Sequence, residues 1–497
     1  MSCLLLVTAI AAALRLWHLG EWSMWVDEAH TWRDATMQLV GEHGLLREDR
    51  VFYALTFLGL RGLLNLGWIG GDEFSLRLPF ALVGILSVPV IAMCGRRLVG
   101  AWAAVLAAAF CAVCPWHIYW SQNARGYILV FLFAAIAANR AIVAIETGRA
   151  RDLLATFAAI GVATLFHTTG GLLAAGFFGF LFLRRSAPRG RAVARVAVFA
   201  LVVGLVLPWL VQHSPFQDFV RSKGEELSVL HLVQTTAYYF RPLVLLVGAA
   251  GLWLALPVLG RDRTLLLGCL LLVPFFVLVA VAGQVAKVTA RYAFCALPAL
   301  LWLAAFACTR LAAAVTQSRI DGQSSVRTHR VAAALLPVLL LAEYGLHDVW
   351  YHGSQHGQRG LWREACAMAR ERAGAGALRV LSTNEPTCLY YLRPRHWSSG
   401  NVDEYRKLSV WPLERWLIAL EKVHPPGGEP HLRWHIDQAQ RDVAQFVVLV
   451  TLPELQAKDQ DGSVLATLRR DFELIAHLPC WVGPKDESIY VYVPKGT

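Results

Sequence analysis

Apolar runs close to twenty residues long recur through the first two thirds of this chain, and no other feature limits its fold so strongly. A run of that length crosses the hydrocarbon core of a bilayer as a helix, where every backbone N–H and C=O must be satisfied without water. Candidate spans lie at 3–19, 76–95, 98–115, 127–145, 153–167, 169–183, 192–211, 242–259, 264–282, 293–313 and 331–346. Composition agrees. Of 497 residues, 56% are hydrophobic and 16% charged, against about a quarter charged in a soluble domain. Residues 347–497 change character: they are polar, rich in His, Trp and Pro, and have no spanning run. They are numerous enough for a core of their own. The expected architecture is a polytopic α-helical membrane protein, residues 1–346, with about 11 transmembrane helices. A soluble α/β domain, residues 347–497, follows it. The first segment lacks a basic start, leads straight into the acidic motif and is read as a retained helix.

Sidedness depends on one further apolar run, 51–69, which contains Arg61 and Asn65. If it does not cross and the N-terminus is cytoplasmic, the short inner loops hold Arg96-Arg97, Arg149, Arg151, Arg184-Arg185, Arg261, Arg263 and the basic stretch from Arg310 to Arg330. That is the Lys/Arg bias of cytoplasmic loops. If it crossed, all of these would face outward. The run is therefore read as an interfacial or re-entrant helix in an outer first loop, 20–75, with the C-terminal domain also outside. Five polar features then share the outer face: Asp27-Glu28, Gln122 to Arg125, His167, the 212–241 loop, and Lys287 to Tyr292.

Asp27 and Glu28 follow the first span and are flanked by Trp22 and Trp25. Acids at a membrane surface mark a substrate or ion pathway, and a carboxylate is what general-base chemistry needs to activate a hydroxyl. The competing reading is a solvated turn with Asp27 as helix N-cap. Arg125 and Tyr127, in Trp116-His-Ile-Tyr-Trp-Ser-Gln122-Asn-Ala-Arg125-Gly-Tyr127, lie at an outer junction, where charge bias disfavours Arg. Arg291-Tyr292 repeats the arrangement with Lys287 nearby. An Arg fork suits a phosphate; a snorkelling anchor is the alternative. His30 and His167 are candidate substrate-binding residues, although a capping histidine is the commoner explanation at His167. Asp27, Glu28 and His30 could hold a divalent cation, but no Cys/His spacing indicates a metal and no cofactor is expected.

Other signals are weak. Cys111 and Cys114 have redox-motif spacing but lie inside a span. Cys366, Cys388 and Cys480 allow at most one disulfide in the outer domain. No phosphate-binding Gly-rich loop indicates a nucleotide sugar or ATP. The net charge of +11 comes largely from inner loops, so it argues orientation and not nucleic acid. In the outer domain, Leu361 to Arg372 reads as an amphipathic helix and Pro453 to Arg470 as a helix. Leu378 to Thr383, Gln445 to Leu452, Phe472 to His477 and Ser488 to Val493 read as strands.

The chain resembles bacterial C-type glycosyltransferases of the protein-mannosyltransferase-like and aminoarabinose-transferase-like group. The carriers are Trp25-Val-Asp27-Glu28-Ala, Ser75-Leu-Arg77-Leu-Pro79, Tyr119-Trp-Ser121-Gln-Asn-Ala-Arg125-Gly-Tyr127, His167, Leu207-Pro-Trp209, and Arg291-Tyr292 with Leu297-Pro298. The tail, with Trp362-Arg-Glu and Leu389-Tyr-Tyr-Leu392, is similar less specifically. The resemblance implies a C-type glycosyltransferase fold in the bacterial plasma membrane, a polyprenyl-phosphate-linked sugar donor, and inverting transfer on the outer face. It implies Asp27 as base and Arg125 and Arg291 on the lipid phosphate. The acceptor is a lipid, glycan or protein hydroxyl. Two departures stand out. The usual His-Pro-Pro-Leu-like segment is Glu48-Asp49-Arg50-Val51 here, so Asp49 and Arg50 are new charges at a substrate-contacting place. The usual Arg-Pro-Tyr is Arg125-Gly-Tyr127. The expected function is transfer of the sugar to an acceptor hydroxyl, with Glu28 positioning Asp27 or binding acceptor. The rivals are a lipid or solute transporter or flippase, disfavoured by the lack of an inverted repeat, and a non-catalytic receptor.

Reporter fusions test the sidedness. Those at Gly44, His167 and Gly400 should report an external position, and those at Ser186 and Ser324 an internal one. An external Ser186 would reverse the assignment.

Overall fold

The computed structural model describes residues 2–36, 54–184, 229–282, 288–317, 326–392, 410–412, 429–441, 444–459, 462–482 and 485–496. Asp49, Arg50, Lys287 and the 192–211 span lie outside the described residues. The chain forms two compact units. One comprises Met1–Trp17, Phe52–Thr56 and Arg77–Asp348, and the other His18–Val51, Phe57–Leu76 and Val349–Thr497. The 20–75 loop is divided between them, with Phe52–Thr56 in the first unit and the rest in the second.

The first unit is helical. Four helices among the described residues are long and apolar enough to cross a membrane: Glu73–Val99, Tyr127–Thr147, Arg261–Val281 and Ala290–Ala314. Two bent pairs raise this to six: Ala101–Ala112 with Pro115–Ser121 at 63°, and Val229–Phe240 with Pro242–Ala255 at 88°. Each bend falls where a Pro opens the second helix. Its ring nitrogen has no hydrogen to donate back to the preceding turn, so the ladder stops there. The protein is thus a multi-pass, mostly helical membrane protein. The expected spans 3–19 and 169–183 correspond to shorter apolar helices, Ser2–Leu16 and Gly171–Arg184. The run at 51–69 forms a helix of 12 residues, Ala54–Asn65. That is a rise of about 18 Å along the described residues.

Charge inside the helical unit is compensated locally. Arg15, with no exposed surface, donates to the carbonyls of Ala112 at 2.8 Å and Cys111 at 2.9 Å. These are terminal carbonyls of Ala101–Ala112 that no further helical turn can satisfy. Arg15 also donates to His117 Nδ1 at 2.8 Å. A guanidinium only donates, so His117 accepts there and uses Nε2–H toward Ser87 Oγ, 2.9 Å away.

The second unit contains a five-stranded sheet in the order β2-β1-β3-β7-β4. The strands are β1 Leu378–Ser382, β2 Val410–Pro412, β3 Gln445–Thr451, β4 Phe472–Leu478 and β7 Ile489–Pro494. A short ribbon, β5 Trp481–Val482 with β6 Lys485–Asp486, stands apart from it. β1 is parallel to β2 and β3, and β7 is antiparallel to β3 and β4. Side chains alternate faces along a strand, and β3 divides accordingly. Phe446, Val448 and Val450 pack with helices Glu429–Arg441 and Ser463–Asp471. Val447 and Leu449 pack with Trp362, Cys366 and Cys388 of Trp362–Ala373 and Glu385–Leu392. The expected strands and the helix from 361 are all present. The single helix expected over 453–470 is two, Leu452–Lys458 and Ser463–Asp471. Gly462 stands between them at φ 69°, and Asp459 accepts the N–H groups of Val464 and Leu465. Cys366, Cys388 and Cys480 are buried free thiols.

Helices Pro242–Ala255 and Leu297–Gln317 approach closely at two glycines. A Cβ at Gly251 would run into the Leu303 carbonyl, whereas one at Gly248 would meet the movable end of Leu300. Overpacking costs about 1–3 kcal/mol, and a backbone obstacle cannot rotate away. Gly251→Ala should therefore lower the melting temperature of the purified protein clearly more than Gly248→Ala. Equal melting temperatures would show that the helices separate freely.

Candidate active site

In the second unit, the two adjacent acids have opposite fates. Helix Val26–Thr36 begins after Trp25, whose carbonyl accepts the first helical bond, from Ala29 N at 3.0 Å. Trp25 is therefore the N-cap position, and Asp27 lies inside the first turn; Asp27 is not the cap. Glu28 bends back to take the Trp25 N–H at 3.0 Å, the Glu half of a capping box. The same oxygen pairs with Arg359 Nε at 3.2 Å, and both side chains are 0% exposed. Glu28 is thus enclosed and neutralised, while Asp27 is half-buried. Acidic groups in a first helical turn also match the positive end of the helix dipole. His30 is half-buried on the same helix.

The segment leading into this helix is held by residues more than three hundred positions away. Arg363 donates to the carbonyls of Glu21 at 2.6 Å, Gly20 at 3.0 Å and Trp22 at 3.3 Å, and to Glu73 at 2.6 Å. Its backbone N–H bonds Ser23 Oγ, which in turn donates to Glu364. Tyr391 accepts the Met24 N–H at 2.7 Å and donates to Glu73 at 3.0 Å. Tyr390 donates to Gly71 O at 3.0 Å and meets Trp32 edge-on. Trp362-Arg-Glu and the Tyr390-Tyr391 pair thus have a definite task, clamping the first loop. Sequence reading noticed these residues only as a resemblance. Glu73 and Arg359 it did not single out, because nothing local marks a partner so distant.

The first unit gathers the cationic features. Arg125 is 8% exposed and follows a tight turn in which its N–H bonds Asn123 O at 2.7 Å. Tyr127 stacks on Trp120 with centroids 3.9 Å apart and meets His167 at 3.8 Å. Gly126 explains the departure from Arg-Pro-Tyr. A Cβ there would strike the Phe166 carbonyl and the Thr56 hydroxyl that donates to it at 2.7 Å. Close approach, and not an unusual φ, demands glycine. Arg291 lies in the turn Ala290–Ala296, with its guanidinium donating to Tyr292 Oη at 3.3 Å. Phe294 of the same turn packs against Trp116, Trp120 and Phe131, and Ala290 N bonds Thr235 Oγ1. Arg125, Tyr127, His167, Arg291 and Tyr292 therefore stand on mutually packed elements.

Two expected substrate contacts have structural tasks. Gln122 is wholly buried and its amide donates to Leu14, Arg15 and Trp17 carbonyls, closing the end of Ser2–Leu16. His167 is 2% exposed, and its Nδ1 accepts the Thr169 N–H at 3.3 Å, capping the following turn. Among the described residues, no three His, Cys, Asp or Glu side chains are grouped to hold a metal ion. Within the Asp27, Glu28 and His30 set, Glu28 is paired with Arg359.

Residues 60–211 match the family described as dolichyl-phosphate-mannose-protein mannosyltransferase. No curated protein matches the sequence. Among solved structures, ArnT from Cupriavidus metallidurans in the apo state is similar at 16% identity, over 98% of this chain and 97% of that one, with TM-score 0.55. The same protein bound to undecaprenyl phosphate matches at 15% identity over 99% and 98%, with TM-score 0.53. Archaeal oligosaccharyltransferase AglB from Archaeoglobus fulgidus, with an inhibitory peptide and a dolichol-phosphate, matches at 14% identity over 100% of this chain and 74% of that one, with TM-score 0.55. The chain thus has the fold shared by ArnT and AglB, the C-type glycosyltransferase fold, and carries the protein-mannosyltransferase family pattern within residues 60–211.

Proposed function

We propose that the protein is a membrane glycosyltransferase that moves a sugar from a polyprenyl-phosphate donor to an acceptor hydroxyl at the outer face of the bacterial plasma membrane. One observation carries this reading: in a fold matched end to end by ArnT, Glu28 of the first-loop pair is fully enclosed with Arg359, while Asp27, the next position on the same helix, keeps part of its surface exposed. Asp27 takes the proton of the acceptor hydroxyl. The acceptor oxygen then bonds to the anomeric carbon as the bond from that carbon to the phosphate oxygen breaks, with inversion. The electron pair leaves on polyprenyl phosphate. Arg125 and Arg291, with Lys287, stabilise that growing charge, and Tyr127 orders the Arg125 turn. A fixed charge in a site screened from water is worth several kcal/mol to such a transition state. Undecaprenyl phosphate in one ArnT structure and dolichol-phosphate in the AglB structure support the lipid class. Acceptor class follows from neither.

Isosteric substitution tests the base. Asp27→Asn keeps shape and most hydrogen bonding, and as Asp27 is not the N-cap it should leave folding intact. Turnover should fall about 10²–10⁴-fold, as expected for lost acid–base catalysis. Near-normal turnover by well-folded Asp27→Asn protein rules out the role. For the phosphate clamp, Arg125→Ala and Arg291→Ala should each weaken undecaprenyl phosphate binding by about 1.5–3 kcal/mol, the worth of a hydrogen bond to a charged group. Arg125→Lys should recover only part of this, because the planar fork is lost. Unchanged binding in both Ala variants would make these residues interface anchors.

A further inference from the structure

We propose that Arg359 is a positioning residue for the reaction: its buried pairing with Glu28 fixes the rotation of the helix that carries Asp27. This rests on Asp27 acting as base. It gives Arg359 a part in the chemistry through Glu28, without requiring that Arg359 touch the reacting atoms.

Arg359 is held firmly around this contact. The guanidinium is 0% exposed, with Nε on Glu28 at 3.2 Å. One terminal nitrogen donates to Gly357 O at 2.7 Å and lies 3.5 Å from Tyr351 Oη. The ring of Trp22 is 5.7 Å from its central carbon, and Trp22 meets Tyr351 edge-on at 5.1 Å. Cys480 Sγ bonds the Arg359 carbonyl at 3.0 Å. The backbone leading in is unusual. His356, Gly357 and Gln358 have φ of 46°, 62° and 57°, a left-handed run that residues with side chains rarely adopt. A Cβ at Gly357 would strike the Trp22 ring, so close approach as well as φ selects glycine there.

Stability alone gives no reason for this construction. A buried ion pair is often matched or bettered by apolar side chains of similar size, and its best-attested use is to specify one arrangement. The arrangement here is rotational. Successive helical residues point about 100° apart, so anchoring Glu28 on one side sets the direction of Asp27 on another. Glu28 also holds the Trp25 N–H, so the same carboxylate fixes where the helix starts and how it is turned.

The test uses the full-length protein in detergent. The donor is the polyprenyl-phosphate sugar that accumulates in a strain lacking the protein, and undecaprenyl phosphate serves as binding probe. Arg359→Met should lower kcat on the order of 100-fold, the cost of a misplacement of about 1 Å. Donor KM and undecaprenyl phosphate binding should change less than about threefold. If Arg359 acts through Asp27, the same substitution in an Asp27→Asn background should lower the residual rate less than about threefold, because residues acting as a unit are not additive. Glu28→Gln with Arg359→Met leaves no lone buried charge, so it keeps the fold and should retain the kcat defect. Unchanged kcat in Arg359→Met, an equal loss in both backgrounds, or full kcat in the double variant would each overturn the proposal while an inactive Asp27→Asn upheld the base. Near-normal turnover in Asp27→Asn alone would remove the base and this proposal together.

Discussion

A carboxylate and a guanidinium removed entirely from water must satisfy each other, and the Glu28–Arg359 pair places that demand between residues 331 positions apart. Desolvation costs several kcal/mol per ion, so neither side chain tolerates the loss of its partner. Much of the second unit follows from this pairing. The loop that follows the first helix must lie against the C-terminal residues, the helix Val26–Thr36 must start at Trp25, and the corner at 356–358 must adopt left-handed backbone. Arg363, Glu73, Tyr390 and Tyr391 extend the same junction with charge-assisted bonds at 2.6–3.2 Å.

Local chemistry was legible in the sequence, and distant pairing was not. Apolar runs located Glu73–Val99, Tyr127–Thr147 and Arg261–Ala282 to within a few residues, because burial in lipid writes itself into every position. Alternating or continuous apolar stretches located β1, β3, β4 and β7 equally well. The breaks at Pro115 and Pro242 fall at the ends of the expected runs 98–115 and 242–259, but the helices on their far sides, Pro115–Ser121 and Val229–Phe240, were not read as parts of bent spans. Asp27 and Glu28 were visible as a pair, yet their division of roles depends on Arg359, which carries no local signature. Arg15 offered a better clue: a charge within an apolar run requires a polar partner, and the partners prove to be His117 and the end of Ala101–Ala112. Gln122 and His167 show the converse. Both are polar residues beside a candidate site, and each has a group that closes a helix or turn end, the Gln122 amide and His167 Nδ1.

Glycine marks the places where backbone, and not side chain, sets the geometry. Gly126 lets the Arg125 turn press against the Phe166 carbonyl, and Gly357 lets the Arg359 corner press against Trp22. Each lies next to a cation proposed to matter, one for the donor phosphate and one for the base. In both, the fold uses a close approach to aim a guanidinium, which has a rigid planar donor array and holds its direction once its neighbours are fixed.

Transferase and transporter readings separate most directly where the membrane has been removed. In detergent micelles there are no two compartments, so translocation has no meaning, but a sugar can still change its bond. The decisive measurement gives purified protein the polyprenyl-phosphate sugar from a strain lacking it, with envelope glycans from that strain as acceptor. A glycosyltransferase releases polyprenyl phosphate and moves the sugar to the acceptor in equal amounts. Folded protein that binds the donor yet leaves both substrates intact would contradict transfer and favour a transporter.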